Sequence, residues 1–260
     1  VCTRRGQFGY VTVDWENPFG EWTFQAVSGA VASQRFGHGL GVGDVDGDRR
    51  RDIIHKGGWF EQPSTDKETW RARKFTFTVR GGAQMFAYDV DGDSDNDVIT
   101  SLAAHGYGLC WYENKPRDDG ITFVAHTFMN ANPDENRYGV KFSQLHAIDL
   151  VDKNRDGLLD IVTGKRFWAH GPSGDAEPGA PAVLYWFELR RSKKSGVDWV
   201  PHLVDDDSGI GTQVMATDMN QDGLPDLVCG HPHGDNEHTA TAKDIRSTHR
   251  RQAPPKPHKA

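Results

Sequence analysis

The residues best placed to do chemistry in this 260-residue chain are carboxylates set on alternate positions of short turns. Four segments share one pattern: Asp44, Asp46, Asp48 and Asp52; Asp89, Asp91, Asp93 and Asp97; Asp152, Asn154, Asp156 and Asp160; Asp218, Asn220, Asp222 and Asp226. In each, oxygen side chains stand at positions one, three, five and nine, and aliphatic residues follow. Oxygens spaced this way on a tight turn point toward one centre, where unneutralised carboxylates repel one another. A hard divalent cation removes that repulsion and takes about six to eight oxygens. An all-oxygen donor set selects Ca2+ over zinc or copper, and the strict octahedron of Mg2+ fits less well. All sixteen residues are therefore expected Ca2+ ligands. An EF-hand is excluded, because the span ends on an Asp at position nine rather than a Glu at position twelve, between strand-like flanks. The turns are unequal. Gly157 and Gly223 occupy position six, where a left-handed backbone is easily adopted. The first turn has Arg49 there, inside an Arg49-Arg50-Arg51 run that opposes a cation, and is expected to bind weakest. The second adds Asp95 and is expected to bind best.

A second set of side chains suits acid–base work. His38, His105, His146 and His170 are candidate bases, and Lys165 or Arg166 is a candidate for steadying a developing oxyanion. No nucleophile elbow, phosphate loop or zinc-protease helix occurs. His126 and His202 recur three residues after an aromatic and read as repeat-structural. A terminal segment with His231, His233, Asp235, Glu237 and His238 is a weaker transition-metal candidate.

The elements that position these groups repeat. The first residues of the acidic turns lie 45, 63 and 66 residues apart. After each of the first three comes a triplet, Trp59-Phe60-Glu61, Trp111-Tyr112-Glu113 or Trp186-Phe187-Glu188, then a strand opened by Trp70, Phe123 or Trp199. The N-terminus repeats only the pair Trp15-Glu16 and Trp22. Seven of the eight Trp thus fall in register and are expected to pack in the core. Each unit reads as four short strands, the acidic turn joining strand one to strand two. The first strands are expected at Gly39–Val42, Met85–Tyr88, Leu145–Ile148 and Val214–Ala216. Four antiparallel strands repeated radially make a β-propeller; a β-sandwich would not need an acidic turn in phase with a Trp.

These D-x-[DN]-x-D-x-x-x-D turns between short strands resemble the FG-GAP/VCBS repeats of integrin-α-like propellers, over roughly residues 11–230. The resemblance implies an all-β propeller of four-stranded blades, about four of them present. A partial N-terminal blade spans 11–28 and repeats start near 36, 82, 142 and 211. The first and last units read as cut, which points to a piece of a larger ring; alternatively the two halves join and close a four-bladed one. The general look is also similar to the propeller part of aldos-2-ulose dehydratases, without a residue-by-residue motif match.

Alternation of strand direction puts the acidic turns on one face. The opposite face then receives His38, His105, Tyr107, Lys141, His146, Lys165, Arg166, Trp168, His170, Arg35 and Gln213, together with two long loops. Such a mixed mouth suits a polyhydroxylated or anionic ligand. The expected function is an extracellular calcium-binding module that recognises a glycan or protein there. The alternative is a carbohydrate lyase or dehydratase using those histidines.

Composition sets the outer limits. The net charge is −7, and 15 of the 37 acidic residues lie in the turns, so the acidity reads as ion storage. A nucleic-acid partner, which needs clustered positive charge, is not expected. No apolar run is long enough for a membrane helix, and no membrane insertion is expected. Cys2, Cys110 and Cys229 form neither a disulfide framework nor a zinc pattern and read as small apolar residues. Sites of this type suit extracellular calcium, so a secreted, periplasmic or cell-surface location follows. Residues 231–260, with five His, four Pro and no aromatic, are expected to form a disordered polar tail. Nothing in the sequence signals an oligomeric state.

Overall fold

The computed structural model describes residues 6–30, 37–65, 68–118, 120–167, 170–194, 196–207 and 209–230. The expected tail, with its metal candidates, and Arg35 and Trp168 lie outside the described residues. The protein is all-β: sixteen strands and one short 3-10 turn, Pro133–Glu135, account for its regular structure among those residues. No described helix is long and apolar enough to cross a membrane.

Strand order follows the repeat. The first unit holds β3 (Leu40–Gly43), β4 (Asp52–His55), β5 (Gly58–Glu61) and β6 (Arg71–Lys74). The second holds β7 (Gln84–Tyr88), β8 (Asp97–Ser101), β9 (Leu109–Arg117) and β10 (Gly120–Met129). The third holds β11 (Ile148–Val151), β12 (Asp160–Lys165), β13 (Val183–Ser192) and β14 (Gly196–Asp205). Each is an antiparallel meander paired in sequence order. Two hairpins flank them, β1 (Gly9–Thr12) with β2 (Thr23–Ala26), and β15 (Val214–Thr217) with β16 (Asp226–Cys229). The acidic turns join first to second strands in all four places, as their spacing predicts.

The sheets are not the separate four-stranded blades expected: one has eight strands, one has four and two are two-stranded hairpins. β3 and β7 pair in parallel, Leu40 with Gln84 and Gly41 with Met85, so the first two units share one eight-stranded sheet. Gly41 allows this approach, since a Cβ there would lie 1.9 Å from the Met85 carbonyl oxygen. First strands of later units also meet. The Gln84 side chain accepts from the Ile148 N–H at 2.9 Å, and Asp149 accepts from the Ala216 N–H at 2.8 Å.

The cores lie between successive units. Trp59, Phe77, Tyr112 and Phe123 fill the first interface, and Trp111, Phe142, Phe187 and Trp199 the second. Burial of these rings is the main apolar contribution to the fold. Two tryptophans break the expectation: Trp15 is 81% and Trp22 54% exposed. The N-terminal hairpin packs instead through Phe8 and Val27 against Ile53 and Phe60, and Trp15 falls in its turn. The third unit's first strand starts three residues later than expected, because the chain before it turns through Gln144 at φ 59°. The stacked pairs Trp111–His126 and Trp186–His202, with Glu113 and Glu188 each 2.8 Å from their histidine, bear out the repeat role of those two histidines.

The position-nine carboxylates bind each turn to its sheet. Asp97 is fully buried; Oδ2 accepts from the Val90 N–H at 2.8 Å and Oδ1 from the Asn114 N–H at 2.8 Å. Asp52 does the same with Val45 and Gln62, and Asp160 with Lys153 and Leu189. Removing the carboxylate leaves two backbone donors unmatched, at about 1–3 kcal/mol each. Asp97→Ala should therefore lower unfolding free energy by about 3 kcal/mol or more, measured by urea denaturation. A loss no larger than that of an exposed Asp→Ala change would contradict the bracket.

His55 lies between Phe8 and Phe60, and burial pushes it down to about 4 from 6.5. The unfolded chain then binds the proton more readily, so this residue's contribution is constant above about pH 6.5 and turns against folding as pH falls toward 4. His55→Phe should flatten stability between those limits relative to the parent chain. Parallel curves for the two proteins would reject this.

Candidate functional site

Opposite the acidic turns, loops from three units converge. His38 precedes β3, His105 lies between β8 and β9, His146 precedes β11, and Arg166 and His170 follow β12. The sequence placed all of these on one face, and the structure brings them together. His105 Nε2 lies 3.2 Å from His38 Nε2. Ring centroids are 4.8 Å apart for His38 and His146, and 5.4 Å for His105 and His146. One ring nitrogen from each of the three lies within 4.8 Å of the others. His170 stacks beside His105, with centroids 4.6 Å apart.

Burial and neighbouring positive charge favour the neutral form of His38, His105 and His146. Burial, then His105 and Arg166, hold His38 below its ordinary value. Burial lowers His105 against the hydrogen bond it donates to Asp175. His146 is pushed down to about 4, first by burial and then by Arg166 and the other two rings. Neutral imidazoles present lone pairs. Two lone pairs facing each other at 3.2 Å repel unless a proton or a cation lies between them. Two nitrogens at about 2.05 Å from a tetrahedral Zn2+ stand about 3.3 Å apart. The donor set of three imidazoles thus fits a borderline transition metal and not Ca2+.

Lys165 does not join the cluster. It is fully buried, and its ammonium donates to the carbonyls of Arg166 and Phe167 at 3.0 Å each. It holds the loop that carries Arg166. Arg166 is 6% exposed, with Nη2 2.9 Å from His105 Nδ1. Lys141 pairs with Glu177 at 2.5 Å and sits over the Tyr107 ring. A pocket of about 660 Å³ opens beside the histidines, lined by Thr78, Arg80, His105, Tyr107, Asn130 and Asp175.

The acidic turns have their own geometry. In the first, carboxylate oxygens of Asp44, Asp46 and Asp48 lie within 4.8 Å of one another; in the second, those of Asp89, Asp91 and Asp97 do. An arginine pairs with a carboxylate in both, Arg50 with Asp48 and Arg191 with Asp89 at 3.7 Å. Asp95 has a buried oxygen with no hydrogen-bond partner among the described residues, and burial with the neighbouring Asp93 carboxylate pushes it up to about 6. The clustered donors of the second turn are all oxygens, a set suited to a hard cation. In the third and fourth turns Asp152, Asn154 and Asp156, and Asp218, Asn220 and Asp222, accept mainly from their own turn's N–H groups. Positions four and six are both left-handed in all four turns, and each turn has one glycine for the two: Gly47, Gly92, Gly157 or Gly223. The sequence reading considered only position six.

Asp175, which touches two of the histidines, was not among the sequence candidates. It is 70 residues from His105, and no spacing rule links them.

No protein-family model matches the chain, and no curated protein sequence is significantly similar to it.

Proposed function

We propose that this chain is a propeller of FG-GAP/VCBS type whose acidic turns are stapled by Ca2+, and that its opposite face is a metal-assisted lyase or dehydratase centre for carbohydrate. The convergence of His38, His105 and His146, with two Nε2 atoms 3.2 Å apart and His105 also lining a pocket of mixed polarity, carries the reading. His38, His105 and His146 would hold a Zn2+-like ion. Such an ion polarises a carbonyl or hydroxyl oxygen and lowers the barrier to proton loss from the adjacent carbon. Arg166, buried near all three rings, supplies positive charge where an oxyanion develops. Tyr107, Asn130 and Arg80 line the pocket and offer an aromatic face and donors to a polyhydroxylated ligand. Ca2+ in the turns and a glycan substrate would suit a secreted, periplasmic or cell-surface protein. The sequence favoured a pure binding module; the clustering of four histidines and an arginine shifts the preference to catalysis.

Two experiments test this. The chain is incubated with keto-sugars and with neutral and acidic polysaccharides, and ultraviolet absorbance reports unsaturated products. Product is expected, lost on chelation, restored by Zn2+, and reduced at least about 100-fold in His146→Ala. Binding of a glycan without turnover would return the face to the binding-module reading. For the turns, excess Ca2+ should raise the melting temperature by preferential binding to the native state, and Asp91→Ala should reduce that gain. Identical melts with Ca2+ and with chelator would refute the staples.

A further inference from the structure

The loop between β12 and β13 carries a carboxylate aimed into the histidine cluster. The Asp175 side chain is 1% exposed. Its Oδ1 lies 3.0 Å from His105 Nδ1 and 2.8 Å from His170 Nδ1, and Oδ2 accepts from the His170 backbone N–H at 3.0 Å. Its position is fixed on both sides. At Gly174 a Cβ would lie 2.3 Å from the His170 carbonyl oxygen, so only glycine lets this turn close. The Ala176 carbonyl accepts from Ser143 Oγ at 2.7 Å and from Gln144 Nε2 at 3.1 Å. The segment that delivers His146 therefore also clamps Asp175.

One competitor stands at the same atom. Arg166 Nη2 is 2.9 Å from His105 Nδ1. A single ring nitrogen cannot donate to Asp175 and accept from Arg166 together. With Arg166 as partner, His105 would carry its proton on Nε2 and point it at His38. With Asp175 as partner, the proton sits on Nδ1 and Nε2 offers a lone pair to the cluster. Both contacts involve an ionised partner; Asp175 is favoured because its carboxylate is already fixed beside the ring by His170 Nδ1 at 2.8 Å and the His170 N–H at 3.0 Å, and because its charge draws the guanidinium to itself. The guanidinium then stands beside Asp175 as its counter-charge.

We propose that Asp175 is the positioning residue of this centre: it fixes His105 as the Nδ1–H tautomer with Nε2 turned to His38 and His146, and ties His170 beside that ring as a held neighbour rather than a ligand. This rests on the metal-site reading above. Carboxylates that orient a metal-binding histidine typically contribute 10–100-fold to metal affinity.

The test combines histidine-ring 1H–15N NMR on the metal-free chain with Co2+ titration followed by visible absorption. His105 and His170 are expected as Nδ1–H tautomers. Asp175→Asn should lose that signature and weaken Co2+ binding about 10–100-fold. Gly174→Ala, which displaces the carboxylate without removing it, should disturb the same two rings and keeps the test open if Asp175→Asn fails to fold. His170→Asn, which keeps the backbone N–H to Asp175 but removes the ring, should weaken Co2+ binding less than Asp175→Asn does. An Nε2–H tautomer at His105 in the parent chain overturns the assignment. So does an Asp175→Asn protein with parental tautomers and affinity, or a His170→Asn protein that loses Co2+ as fully as His105→Asn. If the tautomers are as expected and depend on Asp175, but the parent chain takes up no Co2+, the metal reading falls and the positioning role stands.

Discussion

A buried carboxylate that accepts two backbone hydrogen bonds is the constraint on which this fold rests. At Asp52, Asp97 and Asp160 one oxygen closes the acidic turn and the other seizes the backbone after the Trp-aromatic-Glu strand. Burial pushes Asp97 up to about 7 and Asp52 up to about 6, against the N–H donors that favour the anion. Each unit thus has its first three strands locked by one side chain. The remaining acidic oxygens are free of that duty and face outward. In the first turn the clustered carboxylates Asp44, Asp46 and Asp48 are separate from the fastening Asp52, whereas in the second Asp97 belongs to both groups.

The turns also link units to one another. Asn96 donates to the Asp44 carbonyl at 2.8 Å, Arg191 reaches the Val90 carbonyl at 2.8 Å, and Lys153 donates to the Pro225 carbonyl at 2.6 Å. One face is therefore a chain of backbone-anchored turns. With that face fixed, the opposite face can bring loops from three units to one place without regular structure of their own. The histidines sit on such loops, and the rigid strands beneath them determine how closely their rings approach.

Much of this was legible in the sequence, because repetition exposes it. The acidic turns, the order of strands within each unit and the face carrying the histidines follow from spacing and strand alternation alone. Three features did not. The parallel pairing of β3 with β7 depends on glycine at position 41, whose meaning appears only when Met85 is seen against it. Trp15 and Trp22 matched the register by type yet lie exposed, because one hairpin cannot enclose them and Phe8 takes the core position. Asp175 acts across 70 residues through a loop with no periodic pattern, so only three-dimensional proximity reveals it. Local repetition is readable in a chain; meetings between unlike loops are not.

The central claim is that two chemically distinct cation environments occupy opposite faces, oxygen-lined turns on one and an imidazole cluster on the other. A crystal grown with both Ca2+ and Zn2+, with anomalous maps recorded on either side of the zinc absorption edge, tests it most directly. The account predicts a zinc-edge peak bounded by His38, His105 and His146, and density without that edge in the turn of Asp89, Asp91 and Asp97. A zinc signal in the turns, or none between the three histidines, would contradict it.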